Sequence, residues 1–362
     1  MTQSPFLTPD QSRQRRMLAA QRRRTRRMVI AAALGAAVLI AFAVTIALGK
    51  RSDSGGHTPH AGHNASPAQS AKAPALSPGG LPLSQPALTL SGLATPLADP
   101  VHVPFHTPPR AGILFDLNSG RVLWEHNPHL RLHIASLTKM MTALLTVKSA
   151  PPNAPVLVTR EAIATSGSKV GVLPLGRHVR LESMLYGLLL PSGNDAAVAL
   201  AQHVAGSVKG FVARMNDEAA QLGMGCTHYS SPSGFYDADN FSCAADLAVL
   251  AHVAMEQPRI ARVTHTYAAV LPFPIKGGKL YLYNNNPLLI YKYPGTTGLK
   301  TGFTEAAGRC LVATVERHGV KLGVVLLNSN APGTQASKLF NSAFKNVYHL
   351  PEVSQPPIPP GA

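Results

Sequence analysis

The sequence predicts an α+β domain, with one antiparallel sheet contributed by both ends of the folded region, flanked by helices, and a mainly helical subdomain beside it. Three observations predict this. Short β-like runs open the region from about Arg110: Ile113 to Leu117, a turn at Asn118-Ser119-Gly120, then Arg121 to His126, a hairpin signal. Helical periodicity fills the middle: 181–190, 195–204, 208–222 and 244–255. Strand-like runs return at Arg309 to Glu316 and Val320 to Asn328, turned by Arg317-His318-Gly319, before a closing helix over about 334–348.

Charge divides the 362 residues unevenly. Of the formal excess of +16, more than half lies in residues 1–51, where ten Lys or Arg face the single acid Asp10. Residues 1–27 read as a basic cytoplasmic tail and 28–49 as a transmembrane anchor. These 22 uncharged residues would span roughly 33 Å as a helix, against a hydrocarbon core of about 30 Å. Heavier positive charge before the run than after it (Lys50, Arg51) keeps the tail inside and exports the rest. Cleavage after Ala47-Leu48-Gly49 as a signal peptide is the alternative, though the run exceeds the usual apolar region of such peptides. Because the arginines directly precede an apolar span, a nucleic-acid arm is not inferred. Residues 50–108, rich in Pro, Ala, Ser, Gly and His, read as a disordered linker; 109–350 form the folded domain, and 351–362 a Pro-rich tail.

The candidate chemistry starts at Ile134 to Val147, where Ser136 and Lys139 head an apolar run. Three residues apart on a helix, they share a face. Met140, Met141, Leu144 and Leu145 would desolvate the amine, lowering its pKa so that it takes the serine proton. The same tetrad recurs at Ser166–Lys169, in a glycine-flanked loop, and at Ser342–Lys345, on the polar side of the last helix. Neither has apolar surroundings of this kind. His126, His129 and His133 lack a partner carboxylate cluster, and no metal or nucleotide cofactor is expected. A Gly-x-Ser-x-Gly elbow is also missing.

Two further groups complete a pattern: Ser192-Gly193-Asn194 between apolar helical runs, and Lys300-Thr301-Gly302 before Phe303. Ser-x-x-Lys, Ser-x-Asn and Lys-Thr-Gly in this order resemble the serine-type D-alanyl-D-alanine carboxypeptidases, the low-molecular-mass penicillin-binding proteins. The resemblance extends through Ala135 to Thr142, Leu190 to Ala196, Gly298 to Thr304 with Ala307-Gly308, and more weakly Ser231 to Gly234 and Ala244 to Leu247. Ile134, Thr297 and Phe235 depart from the family pattern without touching reacting atoms.

The resemblance implies a β-lactamase/DD-peptidase-like fold and hydrolysis of the last peptide bond of a peptidoglycan stem through an acyl-enzyme. It implies Ser136 as nucleophile, Lys139 as base, and Ser192 with Asn194 in proton relay. Lys300 and Thr301 would meet the substrate's terminal carboxylate, with Gly302 beside them in the strand. The N–H groups of Ser136 and Phe303 would form the oxyanion hole. Expected partners are a stem peptide ending in D-Ala-D-Ala, β-lactams as acylating inhibitors, and the cell membrane through the N-terminal helix, with the catalytic domain outside. Rival readings are a serine β-lactamase, disfavoured because no Glu-x-x-Leu-Asn occurs, and a catalytically idle wall-binding scaffold. Cys226 and Cys243 flank a turn-rich stretch and either form a bridge or stay free, leaving Cys310 in a strand.

Overall fold

The computed structural model describes residues 88–90, 100–235, 239–351 and 358. The basic tail, the apolar run 28–49 and most of the proposed linker and C-terminal tail lie outside them. Among the described residues no single helix is long and apolar enough to cross a membrane.

Alternation of branched and aromatic side chains builds the expected hairpin, β1 (Ala111–Asp116) and β2 (Val122–His126). A two-residue strand β3 (Leu132–His133) then leads into a 3-10 turn (Ala135–Thr138) and helix α1 (Lys139–Ser149). Ser136 therefore stands one turn ahead of the α-helix and not inside it, a correction to the single helix read from the sequence. The following elements are β4 (Pro155–Leu157), α2 (Arg160–Ala164), β5 (His178–Arg180), α3 (Leu181–Leu189), α4 (Asn194–Ala205), α5 (Val208–Gln221), β6 (Phe241–Ser242), α6 (Ala244–Met255) and α7 (Pro258–His265). The chain continues through hairpin β7 (Ala268–Pro272) and β8 (Lys279–Tyr283), short α8 (Pro287–Ile290), β9 (Thr296–Thr304), β10 (Gly308–Arg317), β11 (Val320–Leu327) and α9 (Pro332–Asn346).

Five strands pair antiparallel in the order β2-β1-β11-β10-β9, so the two ends of the domain meet at β1 and β11 and β9 is left as an edge. Period-2 alternation splits the sheet's side chains between two cores. Ile113, Phe115, Val312 and Val325 join the helical subdomain, whereas Leu114, Leu311, Ala313 and Val324 pack against Leu339, Phe340 and Phe344 of α9. The Val, Leu, Ile and Phe side chains among them contribute about 1.5–3 kcal/mol each when fully buried. At the centre of the helical subdomain, α1 touches α3, α4, α6 and α7, and its first eight residues are all buried. A helix enclosed in this way keeps Lys139 out of water.

The folded body reaches into the stretch read as linker. Val101 is wholly buried and its N–H donates to Leu123 O, and Phe105 sets its ring edge-on to Trp124. Cys226 and Cys243 form a disulfide, and Cys310 is a buried free thiol. His129 lies beside the two bridged sulfurs, the one grouping among the described residues with metal-ligand types close together. The bridge occupies both thiols.

Candidate active site

The site begins with backbone geometry that ordinary residues avoid. Ala135, immediately before the serine, has φ 48°, and Ser192 has φ 67°, both in the left-handed region. Such positions cost roughly 1–3 kcal/mol each and persist only where the surroundings hold them. Around Ala135 the holding is visible. Thr138 Oγ1 donates to Ala135 O at 2.8 Å and accepts from Asn240 Nδ2 at 2.7 Å. Gly234, itself left-handed at φ 71°, lies so close to the turn that any Cβ would strike Ala135 O.

Lys139 Nζ lies 2.8 Å from Ser136 Oγ, 2.7 Å from Asn194 Oδ1 and 3.0 Å from Ser233 O. The Asn194 amide is oriented without ambiguity, because its Nδ2 donates to Ser166 O at 2.6 Å and a carbonyl can only accept. Two of the three partners of Nζ are therefore pure acceptors. A neutral amine has two N–H groups and one lone pair, so donating to both acceptors turns the lone pair toward the serine hydroxyl. Burial of Lys139 holds its pKa well below the ordinary lysine value; the nearby Lys300 pushes it further down, against a smaller opposing pull from Asp195. Burial and the neighbouring cation thus both act to favour the unprotonated form.

The second group follows from the start of α4. Asp195 Oδ1 accepts from the N–H groups of Val170 and Ala196, and its Oδ2 from Gly171 N. This ties the Ser166–Lys169 loop to the helix, and Asn194 N–H donates to Ser168 O. Ser192 Oγ is buried without a hydrogen-bond partner among the described residues and borders the same cleft as Ser136. A desolvated hydroxyl with nothing to bind costs stability unless substrate or water meets it.

The third group is the edge strand. A Cβ on Gly302 would come within 3.0 Å of Ile134 O and 3.1 Å of Ser136 N, so β9 lies against the serine turn at a distance that a larger residue would crowd. Thr301, Gly302 and the exposed Phe303 line a cleft of about 460 Å³ together with Ser136, Ser168 and Ser192. Lys300 is placed differently. It is buried behind the strand, its Nζ donates to Thr301 O at 2.8 Å, and desolvation pushes its pKa down to about 7. Arg309, paired across the ladder with Phe303, lines the cleft as well.

The structure thus brings Ser136, Ser192, Thr301, Gly302 and Phe303 to one cleft, with Lys139 buried behind Ser136 and bonded to it and to Asn194, and Lys300 buried outside the lining as well. Sequence reasoning assigned no role to Ser233, Asn240, Asp195, Ser168 or Arg309. The Ser231–Gly234 resemblance was the one available signal for Ser233, whose contribution is a backbone carbonyl.

Residues 101–331 match the D-alanyl-D-alanine carboxypeptidase family. The D-alanyl-D-alanine carboxypeptidase DacF of Bacillus subtilis is 32% identical over 243 residues, covering 65% of this chain and 62% of the Bacillus protein. Among solved structures, a D-alanyl-D-alanine carboxypeptidase from Mycobacterium tuberculosis superposes with a TM-score of 0.62 at 33% identity, covering 67% of this chain and 93% of that one. The Streptomyces K15 DD-transpeptidase matches with the same TM-score at 31% identity, covering 67% of this chain and 99% of its own. Matched over the stretch that carries the serine turn, the Ser-Gly-Asn loop and the edge strand, the chain belongs to the D-alanyl-D-alanine carboxypeptidase family.

Proposed function

We propose that this protein is a serine D-Ala-D-Ala carboxypeptidase that trims peptidoglycan stem peptides. The observation that carries the reading is the amine of Lys139, desolvated and facing two acceptors that leave its lone pair for Ser136. Ser136 Oγ attacks the carbonyl of the penultimate D-alanine as Lys139 takes its proton. Oxyanion charge develops beside the N–H groups of Ser136 and Phe303, a pair of donors worth about 3 kcal/mol each. Ser192 passes a proton to the departing amine, which leaves as D-alanine, and water then cleaves the ester. Thr301 receives the terminal carboxylate on the cleft wall, and Lys300 beneath it supplies positive potential. The open edge of β9 supports pairing with an extended peptide backbone.

β-Lactams acylate Ser136 by the same attack. The Streptomyces K15 protein is named a DD-transpeptidase; water and an amine acceptor compete for one acyl-enzyme. We further propose that residues 28–49 anchor the chain in the cell membrane, with the catalytic domain outside. The 22 uncharged residues behind eight arginines support this. Incubation with a synthetic pentapeptide ending in D-Ala-D-Ala tests the activity: stoichiometric release of D-alanine is expected, and an intact peptide after prolonged incubation overturns it.

A further inference from the structure

A chain of buried hydrogen bonds ends on the peptide that joins Ala135 to Ser136. Asn240 stands 102 residues from Thr138 in the sequence, yet its Nδ2 lies 2.7 Å from Thr138 Oγ1, and both side chains are buried. Thr138 Oγ1 lies 2.8 Å from Ala135 O. A carbonyl only accepts, so the single hydroxyl proton of Thr138 goes to Ala135, and Asn240 presents its NH2 group to the hydroxyl oxygen. The chain of bonds therefore has one direction, from Asn240 through Thr138 to Ala135 O. At its far end Ser230 N–H donates to Asn240 Oδ1 at 3.4 Å. Gly234 closes over the same carbonyl, where any Cβ would strike both Ala135 O and Thr138 Oγ1. None of these residues stands among the described lining of the cleft.

The consequence lies on the other side of the peptide. In a trans peptide the C=O and N–H point in opposite directions, so a carbonyl held inward turns the N–H of Ser136 outward. On that side lies Gly302, whose Cβ would come within 3.1 Å of Ser136 N and which lines the cleft together with Ser136. The bonds behind the turn thus aim a donor into the cleft. They also strengthen it, because a hydrogen bond accepted by a carbonyl polarises the amide and makes its N–H a better donor. Ala135, at φ 48°, keeps this orientation only while it is held.

We propose that Thr138 and Asn240 are positioning residues for the oxyanion donor, aiming and polarising the Ser136 N–H without touching substrate. The inference rests on the acylation of Ser136 in the proposed carboxypeptidase reaction. Losing an oxyanion donor outright slows such reactions about 10²–10³-fold, and tilting one slows them less, by about tenfold.

The test uses the full chain and a penicillin carrying carbon-13 at its lactam carbonyl. Stopped-flow mixing separates the acylation rate constant from the affinity that precedes it, and difference infrared spectroscopy reads the acyl carbonyl stretch. In Thr138→Val, which keeps the side-chain size, the rate constant is expected to fall about tenfold while the affinity stays within about twofold. The carbonyl stretch moves to higher wavenumber as its hydrogen bonds weaken. Thr138→Ser recovers both values, and Asn240→Leu, which leaves the hydroxyl in place, moves both the same way by less. The acid limb of the rate–pH profile, set by Lys139, keeps its position. An unmoved stretch and rate constant in Thr138→Val, or a loss carried by affinity or by a displaced acid limb, overturns the proposal. The nitrogen-15 resonance of the Ser136 amide in the resting protein reads the Ala135 hydrogen bond without any chemistry. It is expected to shift in Thr138→Val and Asn240→Leu and to return in Thr138→Ser. Failure of the unsubstituted protein to acylate, with the resonance shifting as expected, contradicts the proposed reaction and leaves the positioning role standing; acylation with an unmoved stretch and resonance does the reverse.

Discussion

Two copies of one tetrad, Ser136–Lys139 and Ser342–Lys345, sit in opposite environments. In the first the lysine is enclosed by α1's neighbours and bonded to Ser136, Asn194 and Ser233. In the second, Lys345 is exposed on α9, and Ser342 Oγ accepts from Asn346 Nδ2 at 3.1 Å. A third copy, Ser166–Lys169, is a loop whose exposed lysine donates to Ile163 O. The difference teaches that serine and lysine at this spacing carry no chemistry by themselves. In the proposed mechanism, what activates the pair is removal of the amine from water, together with as many acceptors as a neutral amine has protons.

The comparison breaks most sharply at the serines. Ser136→Ala lowers acylation by a fluorescent penicillin at least about a thousandfold, whereas Ser342→Ala and Ser166→Ala leave the rate within about twofold; gel fluorescence against time measures all three. Next in size is Lys139→Met, which keeps the buried stem and removes the base. Acylation falls about 10²–10⁴-fold, while the melting temperature is retained or raised because a desolvated amine has gone. Asn194→Ala removes one of the two acceptors that orient the amine, and stopped-flow acylation slows by about tenfold to a hundredfold.

The smallest effect sharpens the role of Lys300. With its pKa near 7, this lysine is charged below that pH and neutral above it. Loss of the charge weakens attraction for the substrate carboxylate, so KM for a D-Ala-D-Ala peptide rises severalfold as pH passes upward through about 7. The same peptide ending in a carboxamide shows no such rise. A KM–pH profile for both peptides measures it.

Much of this arrangement was legible in the residues. Alternation at Ile113–Leu117 and Val320–Asn328, and helical period in the middle, gave the sheet, its closure by both chain ends and the helices behind it. The β7–β8 hairpin was not read, because Pro272 and Pro274 interrupt the alternation and the exposed Tyr281 and Tyr283 look polar-faced only once the sheet is seen. Strands β3 and β6 have two residues each, too few for any period. In the cleft, residue types pointed to the serine, the lysine and the Ser-Gly-Asn loop. The Ser233 carbonyl is backbone, which any residue supplies, and Asp195 acts through backbone N–H groups 24 and 25 positions away. Such contributions leave no mark in composition or spacing.

The central claim is that Lys139 is uncharged beside Ser136 in the resting protein. NMR of the protein labelled at the lysine ε-carbons, with Lys139 assigned by its loss in Lys139→Met, reads that charge directly. The account predicts a Lys139 signal at the neutral-amine position at neutral pH. A Lys139 signal at the ammonium position throughout the neutral range would contradict it.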